Sequence, residues 1–308
     1  MLYQQWLHSD CLPCLRFYRC PSVLNNFVVE VKDVEFSYPG GVKALGGVTF
    51  RVSKGERVAI LGPNGSGKST LILLMAGLLT PKTGEIKVFN EKTSSKDFQK
   101  LRQRIGIVFQ DPDDQLFNQS VIEDIEYGPK NLRLQASDIK NRSDHVLEKM
   151  SISHLKDRPP HRLSFGEKKK VSLATALVMK PELLILDEPT ANLDLVSRRS
   201  LMDTLNELNS KGTTLVVSTH DVEALPELAD KVIVISNGFL QGEGETSKVL
   251  QDLRLLESAG LEPPAIVQLF TELKSKGLVQ NIPITVKDGQ KILANIISQK
   301  TGPQGFGS

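Results

Sequence analysis

The sequence predicts an α/β fold in which helices cover a mostly parallel β-sheet. Three short aliphatic runs carry this prediction, at residues 57–61, 183–186 and 214–217. Runs of this length without polar alternation are typical of strands that are buried on both faces, as in parallel sheets. Helical stretches separate these runs along the chain, and strands that alternate with helices favour a parallel sheet with helical covers.

The first 26 residues differ in composition from everything that follows. All three cysteines of the chain lie there, so the remaining residues contain no disulfide. The region has no long apolar core of the kind that a secretory signal needs, and we expect a poorly ordered leader. The alternative is a zinc site. Its four ligands would be His8, Cys11, Cys14 and Cys20.

An antiparallel β subdomain is predicted where the ordered chain begins. Phe27, Val29 and Val31 occupy alternate positions, and the same pattern recurs at Val48, Phe50 and Val52. Such alternation is typical of half-buried strands. A turn between the two strands holds one aromatic residue, Tyr38.

A glycine-rich loop follows the first aliphatic run, and an apolar helical stretch follows the loop. Residues 62–69 match the phosphate-binding pattern G-x-x-x-x-G-K-[ST] at every position, and Thr70 follows them. The glycines allow successive backbone N–H groups to face one anion, and the helix N-terminus adds positive potential. The sequence therefore predicts a nucleoside triphosphate site with its metal ion, in which Lys68 reaches the phosphates and Ser69 ligates Mg²⁺. The candidate binding residues of the loop are Gly62, Pro63, Asn64, Gly65, Ser66, Gly67, Lys68, Ser69 and Thr70.

The second half of the chain predicts three further units. Residues 111–163 are polar with helical patches, which indicates a helical insertion in the core domain of residues 27–250. Asn237-Gly238 between two apolar runs predicts a β-hairpin. Residues 251–308 predict a small helical unit with a frayed tail. Its two apolar faces are Ile266, Leu269, Phe270 and Leu273, and Ile292, Leu293, Ile296 and Ile297.

Four polar residues stand at the ends of predicted strands. Asp187 closes a hydrophobic strand, where a carboxylate can hold Mg²⁺, and Glu188 beside it is a candidate general base. Gln110 and His220 also follow strands. Taken singly, an acidic pair can start a turn, a glutamine at a strand end can orient water or a metal ion, and a histidine can cap the next helix or lie in the core.

The four strand-end residues, Tyr38, the phosphate-binding loop and residues 163–170 together resemble the motifs of ABC ATPases in order and spacing. The resemblance covers roughly residues 27–250. The resemblance implies that Tyr38 stacks on adenine and that ATP contacts the signature residues Ser164, Phe165, Gly166 and Glu167 of a second copy. It also implies that Gln110 contacts the metal, that Glu188 and His220 act in hydrolysis, and that residues 192–194 contact the other copy.

Within that family, the string of residues 109–117 is similar to ATPase subunits of energy-coupling factor importers, especially the cobalt/nickel branch. This resemblance implies a peripheral subunit on the cytoplasmic face of the cell membrane. Its partners would be a transmembrane coupling subunit and a substrate-binding membrane subunit. It also implies a dimer with an identical or a second ATPase, which the C-terminal unit helps to hold together. The transported substrate stays open between cobalt, a related metal ion and a vitamin, because specificity resides in other chains.

The signature departs from the commonest form of the family at two positions, Phe165 and Glu167, and Asn192 replaces a usual small residue. Ser164-x-x-Glu167 at the start of a helix also matches a capping box. We therefore expect Glu167 to face its own helix, because a carboxylate near a triphosphate is repelled.

Two other classes of function fit the motifs less well. One is an ABC ATPase that acts on nucleic acid or ribosomes, but a formal charge of +2 offers no basic excess and Gln110 lies too near Ser164 for an inserted coiled coil. The other is a regulatory module that binds nucleotide without hydrolysis, against which Glu188 and His220 both argue. The longest apolar run, residues 71–79, is too short to cross a bilayer.

Overall fold

Two β-sheets and the helices around them form residues 26–300, the part of the chain that the computed structural model describes. The four possible zinc ligands and the predicted C-terminal tail lie outside the described residues. Ten strands are found within this range. They are β1 (Phe27–Ser37), β2 (Lys43–Ser53), β3 (Arg57–Leu61), β4 (Thr83–Val88), β5 (Glu91–Lys92), β6 (Ile105–Val108), β7 (Leu183–Asp187), β8 (Thr214–Thr219), β9 (Lys231–Ser236) and β10 (Phe239–Glu245).

The larger sheet has the strand order β10-β9-β3-β8-β7-β6. All its pairs are parallel except β9 with β10, which form an antiparallel hairpin. Asn237 and Gly238 at the hairpin turn have φ angles of 51° and 80°, as a type I′ turn requires. The mostly parallel sheet and the hairpin that the sequence predicts are both confirmed.

The smaller sheet is antiparallel, with the order β2-β1-β4-β5. Val31 pairs with Phe50 across β1 and β2, and both side chains are buried. This apolar face and helix α1 (Lys68–Met75) enclose a core against one face of the larger sheet. The predicted antiparallel subdomain is therefore confirmed.

Helices cover both sheets and form the insertion between β6 and β7. The helices are α1 (Lys68–Met75), α2 (Phe98–Leu101), α3 (Val121–Asn131), α4 (Ala136–Lys149), α5 (Phe165–Leu177), α6 (Leu195–Ser210), α7 (Leu225–Leu228), α8 (Thr246–Gln251), α9 (Leu253–Ser258), α10 (Ala265–Ser275) and α11 (Val286–Lys300). The predicted helical insertion corresponds to α3 and α4, which pack against α5. Within residues 26–300, none of these helices combines the length and the apolar character that crossing a membrane requires.

The C-terminal unit is joined to the α/β core more closely than its predicted boundary at residue 250 suggests. Leu256 and Leu261 belong to the same buried cluster as the central strands. Beyond them, α10 packs against α11, where Gly289 allows a close approach. A Cβ at this position would lie 2.8 Å from Ile266 Cδ1. Of the predicted α10 face, Phe270 is fully buried, but Leu269 is 52% exposed, so the face is only partly covered within this chain.

Candidate nucleotide site

The phosphate-binding loop lies between β3 and α1, at the carboxyl edge of the larger sheet. Its backbone requires glycine at Gly67, which has a φ of 103°. A Cβ there would also lie 2.6 Å from the carbonyl oxygen of Ala44. The pattern glycine is therefore needed both for a left-handed conformation and for close packing against β2.

Lys68 is held inside this loop. Its ammonium group donates to the carbonyl oxygens of Gly62, at 2.8 Å, and Pro63, at 3.1 Å. The side chain is 6% exposed, and Nζ lies 3.6 Å from Glu188 Oε1. The loop thus aims a buried positive charge at the strand end that carries the acidic pair.

Other loop side chains differ in environment. The Ser66 hydroxyl is buried and has no hydrogen-bond partner among the described residues, whereas Ser69 is exposed. The Thr70 hydroxyl lies 3.0 Å from the Tyr38 hydroxyl. Tyr38 is 38% exposed and packs edge-on against Phe36, with ring centroids 5.0 Å apart. Tyr38, which is predicted to stack on adenine, therefore lies beside the last residue of the phosphate loop, and its side chain is partly accessible.

The acidic pair lies at the carboxyl end of β7, beside the end of β8. Asp187 accepts a hydrogen bond from the Ser218 hydroxyl, and the Glu188 N–H donates to the Ser218 carbonyl at 3.2 Å. Glu188 has a φ of 45°, which is unusual for a residue other than glycine and marks a strained position. Because β7 and β8 are parallel neighbours, Glu188 and His220 emerge from the same edge.

Glu188 lies close to two other polar side chains, those of Lys68 and His220. Its Oε1 atom lies 2.9 Å from Nδ1 of His220. His220 follows β8, whereas Lys68 begins α1. Glu188 is 4% exposed, whereas the His220 side chain is 49% exposed. The structure therefore brings together Lys68, Glu188 and His220, residues that are far apart in the sequence.

The signature forms the N-terminus of α5 as a capping box. The Ser164 N–H donates to Glu167 Oε2 at 2.8 Å, and the Glu167 N–H donates to the Ser164 hydroxyl oxygen at 3.4 Å. The Ser164 N–H and, second, the Ser164 hydroxyl, which donates to Glu167 Oε2 at 2.8 Å, lower the pKa of Glu167. The expectation that Glu167 faces its own helix is confirmed. Gly166 lies beside Ser197, so the signature adjoins the start of α6, where Asp194 caps the helix.

Gln110 follows β6 at the same edge of the sheet, but its most direct contact is one that the sequence did not reveal. Its backbone carbonyl accepts a hydrogen bond from Lys169 Nζ at 2.7 Å. Lys169 is 6% exposed, and burial lowers the pKa of its ammonium group to about 8 although the carboxylates of Asp187, Asp111 and Glu188 act in the opposite direction. A signal was present, because Lys169 falls on the face of α5 that also carries Leu173, one turn later.

The fold and the site define a P-loop ATPase with an inserted helical subdomain and a capped signature helix. A model of the ABC transporter family matches residues 45–191. The chain belongs to the ABC transporter ATPase family, and it binds and hydrolyses ATP.

Two curated relatives cover most of the chain. It is 40% identical over 272 residues to an energy-coupling factor transporter ATP-binding protein, EcfA, of Methanothermobacter thermautotrophicus, which covers 88% of each chain. It is 45% identical over 244 residues to the cobalt import ATP-binding protein CbiO of Rhodobacter capsulatus, with coverage of 79% of this chain and 87% of the relative.

Two solved structures share the fold. The CbiO1 protein of Clostridium perfringens, part of an ABC transporter complex, has a TM-score of 0.67 and 40% identity over 80% of this chain and 99% of its own. A dimeric ATP-binding cassette in a post-hydrolysis state with ADP and phosphate has a TM-score of 0.65 and 29% identity over 71% of this chain and 98% of its own. The predicted family and its ATPase activity are therefore confirmed.

Proposed function

We propose that this chain is the ATP-hydrolysing subunit of a membrane importer of the energy-coupling factor type. The observation that carries the hydrolytic role is the buried carboxylate of Glu188, placed between Lys68 Nζ and His220 Nδ1. The names of the EcfA and CbiO relatives support the importer and make cobalt, or a related metal ion or vitamin, the proposed cargo.

In this proposal the triphosphate lies in the loop of residues 62–70. Glu188 accepts a proton from a water molecule as the water oxygen bonds to the γ-phosphorus. The bond between that phosphorus and the β,γ-bridging oxygen breaks, which yields ADP and inorganic phosphate. Lys68 stabilises the negative charge of the phosphates. His220 orients the Glu188 carboxylate through Nδ1 and can contact the γ-phosphate with its exposed edge.

The donor set of the site fits Mg²⁺. Asp187 offers a buried carboxylate, Ser69 an exposed hydroxyl at the start of α1, and Gln110 an amide oxygen donor on the same sheet edge. Magnesium prefers such oxygen ligands and retains several waters. When bound, the ion would neutralise charge that develops on the phosphate oxygens.

An exposed apolar surface beside the signature supports a dimer. Leu195 is 85% exposed, Val196 is 80% exposed and Phe165 is 37% exposed. We propose that a second ATPase, identical or related, covers this surface and that ATP lies between the loop of one copy and Ser164 of the other. The ADP-bound dimer of a related cassette supports this arrangement.

The C-terminal unit offers a second surface for the same dimer. Leu269 of α10 is 52% exposed, and Ile297 of α11 is 61% exposed. Both belong to the apolar faces of this unit. We propose that these faces hold two copies together before nucleotide binds.

Leu269→Asp is expected to weaken the nucleotide-free dimer at least tenfold, because a carboxylate would be buried at the interface without a partner. The dissociation constant is measured by sedimentation over a dilution series. Asn141→Asp, at an exposed position of α4 outside the C-terminal unit, is the control. A dimer affinity that is unchanged in Leu269→Asp, or reduced equally in the control, contradicts the role of this unit.

An exposed aromatic pair on the helical insertion supports a membrane partner. Phe117 is 65% exposed and Tyr127 is 47% exposed, and their rings pack edge to face with centroids 4.9 Å apart. Phe117 is the last residue of the string of residues 109–117. We propose that this pair receives the transmembrane coupling subunit, which in turn contacts a substrate-binding membrane subunit. The chain would then be peripheral at the cytoplasmic face of the membrane.

Co-expression with membrane subunits encoded beside its gene tests this proposal. The wild-type chain is expected to co-purify with them in detergent, whereas Phe117→Asp is expected to lose co-purification and to keep the ATPase activity of the isolated subunit. Glu148→Asp, an exposed position on α4, is the control. Retention of the complex by Phe117→Asp would remove the proposed docking surface, and failure of the wild type to co-purify would remove the importer role.

A further inference from the structure

Lys169 is a buried lysine that joins two functional segments of the nucleotide site. It lies in the second turn of α5 and donates from Nζ to the carbonyl oxygens of Phe109, at 3.1 Å, and Gln110, at 2.7 Å. Removing an ammonium group from water is unfavourable, and hydrogen bonds to the two carbonyls offset that cost. The Phe165 ring, with its centroid 6.0 Å from Nζ, lies over the same group.

Two further contacts join residues 109–115, the segment that contains Gln110, to α5. They involve α5 residues before and after Lys169. Lys168 pairs with Asp113 at 2.6 and 2.9 Å. The Gln115 amide donates to the Ser172 carbonyl at 2.9 Å, and its oxygen accepts from the Phe109 N–H at 3.2 Å. Residues 109–115 thus make hydrogen bonds or ion pairs to the signature helix at Phe109, Gln110, Asp113 and Gln115.

The buried contact differs from the other two because it acts at Gln110 itself. Lys168 pairs with a surface carboxylate, an interaction of small net strength. Gln115 holds the far end of the loop. Lys169 alone, among the described contacts, fixes the backbone of the residue proposed to reach the metal. Ser164, at the start of the same helix, is proposed to reach the nucleotide of the other copy.

We propose that Lys169 is a positioning residue that makes the signature helix and the Gln110 backbone move as one body. In the proposed dimer, each nucleotide lies between the loop of one copy and Ser164 of the other. Contact of Ser164 with the nucleotide in one site would then align Gln110 in the other site. This inference rests on the proposed function, since it needs both nucleotide sites. Lys169 itself contacts no reacting atom in this account.

The test compares steady-state ATPase kinetics of Lys169→Met, Lys169→Arg and the control Lys180→Met, which lies at an exposed position just beyond α5. Lys169→Met is expected to lower kcat about tenfold to a hundredfold, as for a misplaced catalytic geometry, with KM for ATP changed less than threefold. Lys169→Arg, which can still donate to both carbonyls, is expected to recover most of kcat. Lys180→Met is expected to match the wild type.

Melting temperature and hydrogen exchange distinguish positioning from folding. Methionine fills the same volume without an ammonium group to desolvate, so its melting temperature is expected within a few degrees of the wild type. Exchange of the amides in residues 109–115 is expected to accelerate in Lys169→Met without nucleotide.

Two results overturn the inference. One is wild-type kcat in Lys169→Met. The other is a parallel loss of kcat, melting temperature and expression that Lys169→Arg does not restore, which marks a structural lysine only. If the wild type itself lacks ATPase activity, the proposed function fails instead, so the two failures are distinguishable.

Discussion

Glu188→Gln is expected to bind ATP and to hydrolyse it roughly 10²–10⁴-fold more slowly than the wild type, the range that a general base contributes. The amide preserves the size of the side chain and a hydrogen bond to His220, whose Nδ1 lies 2.9 Å from Glu188 Oε1. It removes the group that accepts the proton of the attacking water. Because the carboxylate is buried and 3.6 Å from Lys68 Nζ, no solvent-exposed acid can readily replace it.

Slow hydrolysis should also trap the dimer. With saturating Mg-ATP, Glu188→Gln is expected to elute as a dimer in gel filtration, because the nucleotide that joins the two copies is not consumed. Glu223→Gln is the matched control, since a glutamine there keeps the oxygen that accepts the Ala265 N–H. A monomeric Glu188→Gln, or one with full turnover, would refute the sandwich or the base assignment respectively.

Lys68→Ala is expected to lose ATP affinity on the order of a hundredfold or more, because hydrogen bonds from a charged donor to phosphate are among the strongest in proteins. The substitution also removes the donor for the carbonyl oxygens of Gly62 and Pro63. The loop therefore loses two hydrogen bonds that stabilise its conformation. In addition, Glu188 loses the cation that lies beside it.

Titration with a fluorescent ATP analogue measures this loss, and melting temperature shows whether the fold persists. Lys82→Ala, at an exposed position, is the matched control and should bind like the wild type. Full ATPase activity in Lys68→Ala would defeat the assignment of residues 62–70 as the phosphate site.

The elements around the nucleotide site could be predicted because their signals are local. Strand, glycine loop and helix follow one another within residues 57–75. Gly67 has a φ of 103°, a backbone conformation that favours glycine. The aliphatic runs of β7 and β8 end at Asp187 and Thr219, and parallel pairing carries both ends to one edge. Once β7 and β8 are neighbours in the sheet, Glu188 and His220 follow their ends side by side.

Other features depend on contacts between distant segments and were not predicted. The sequence by itself determined the phosphate loop, the acidic pair, the capping box at Ser164 and the parallel core, because periodicity and short motifs encode them. Only the tertiary structure decided that Lys169 is buried against the carbonyl of Gln110 and that Leu269 is left exposed. Whether a helical side chain is covered depends on which segment packs over it, and that is a property of the whole fold.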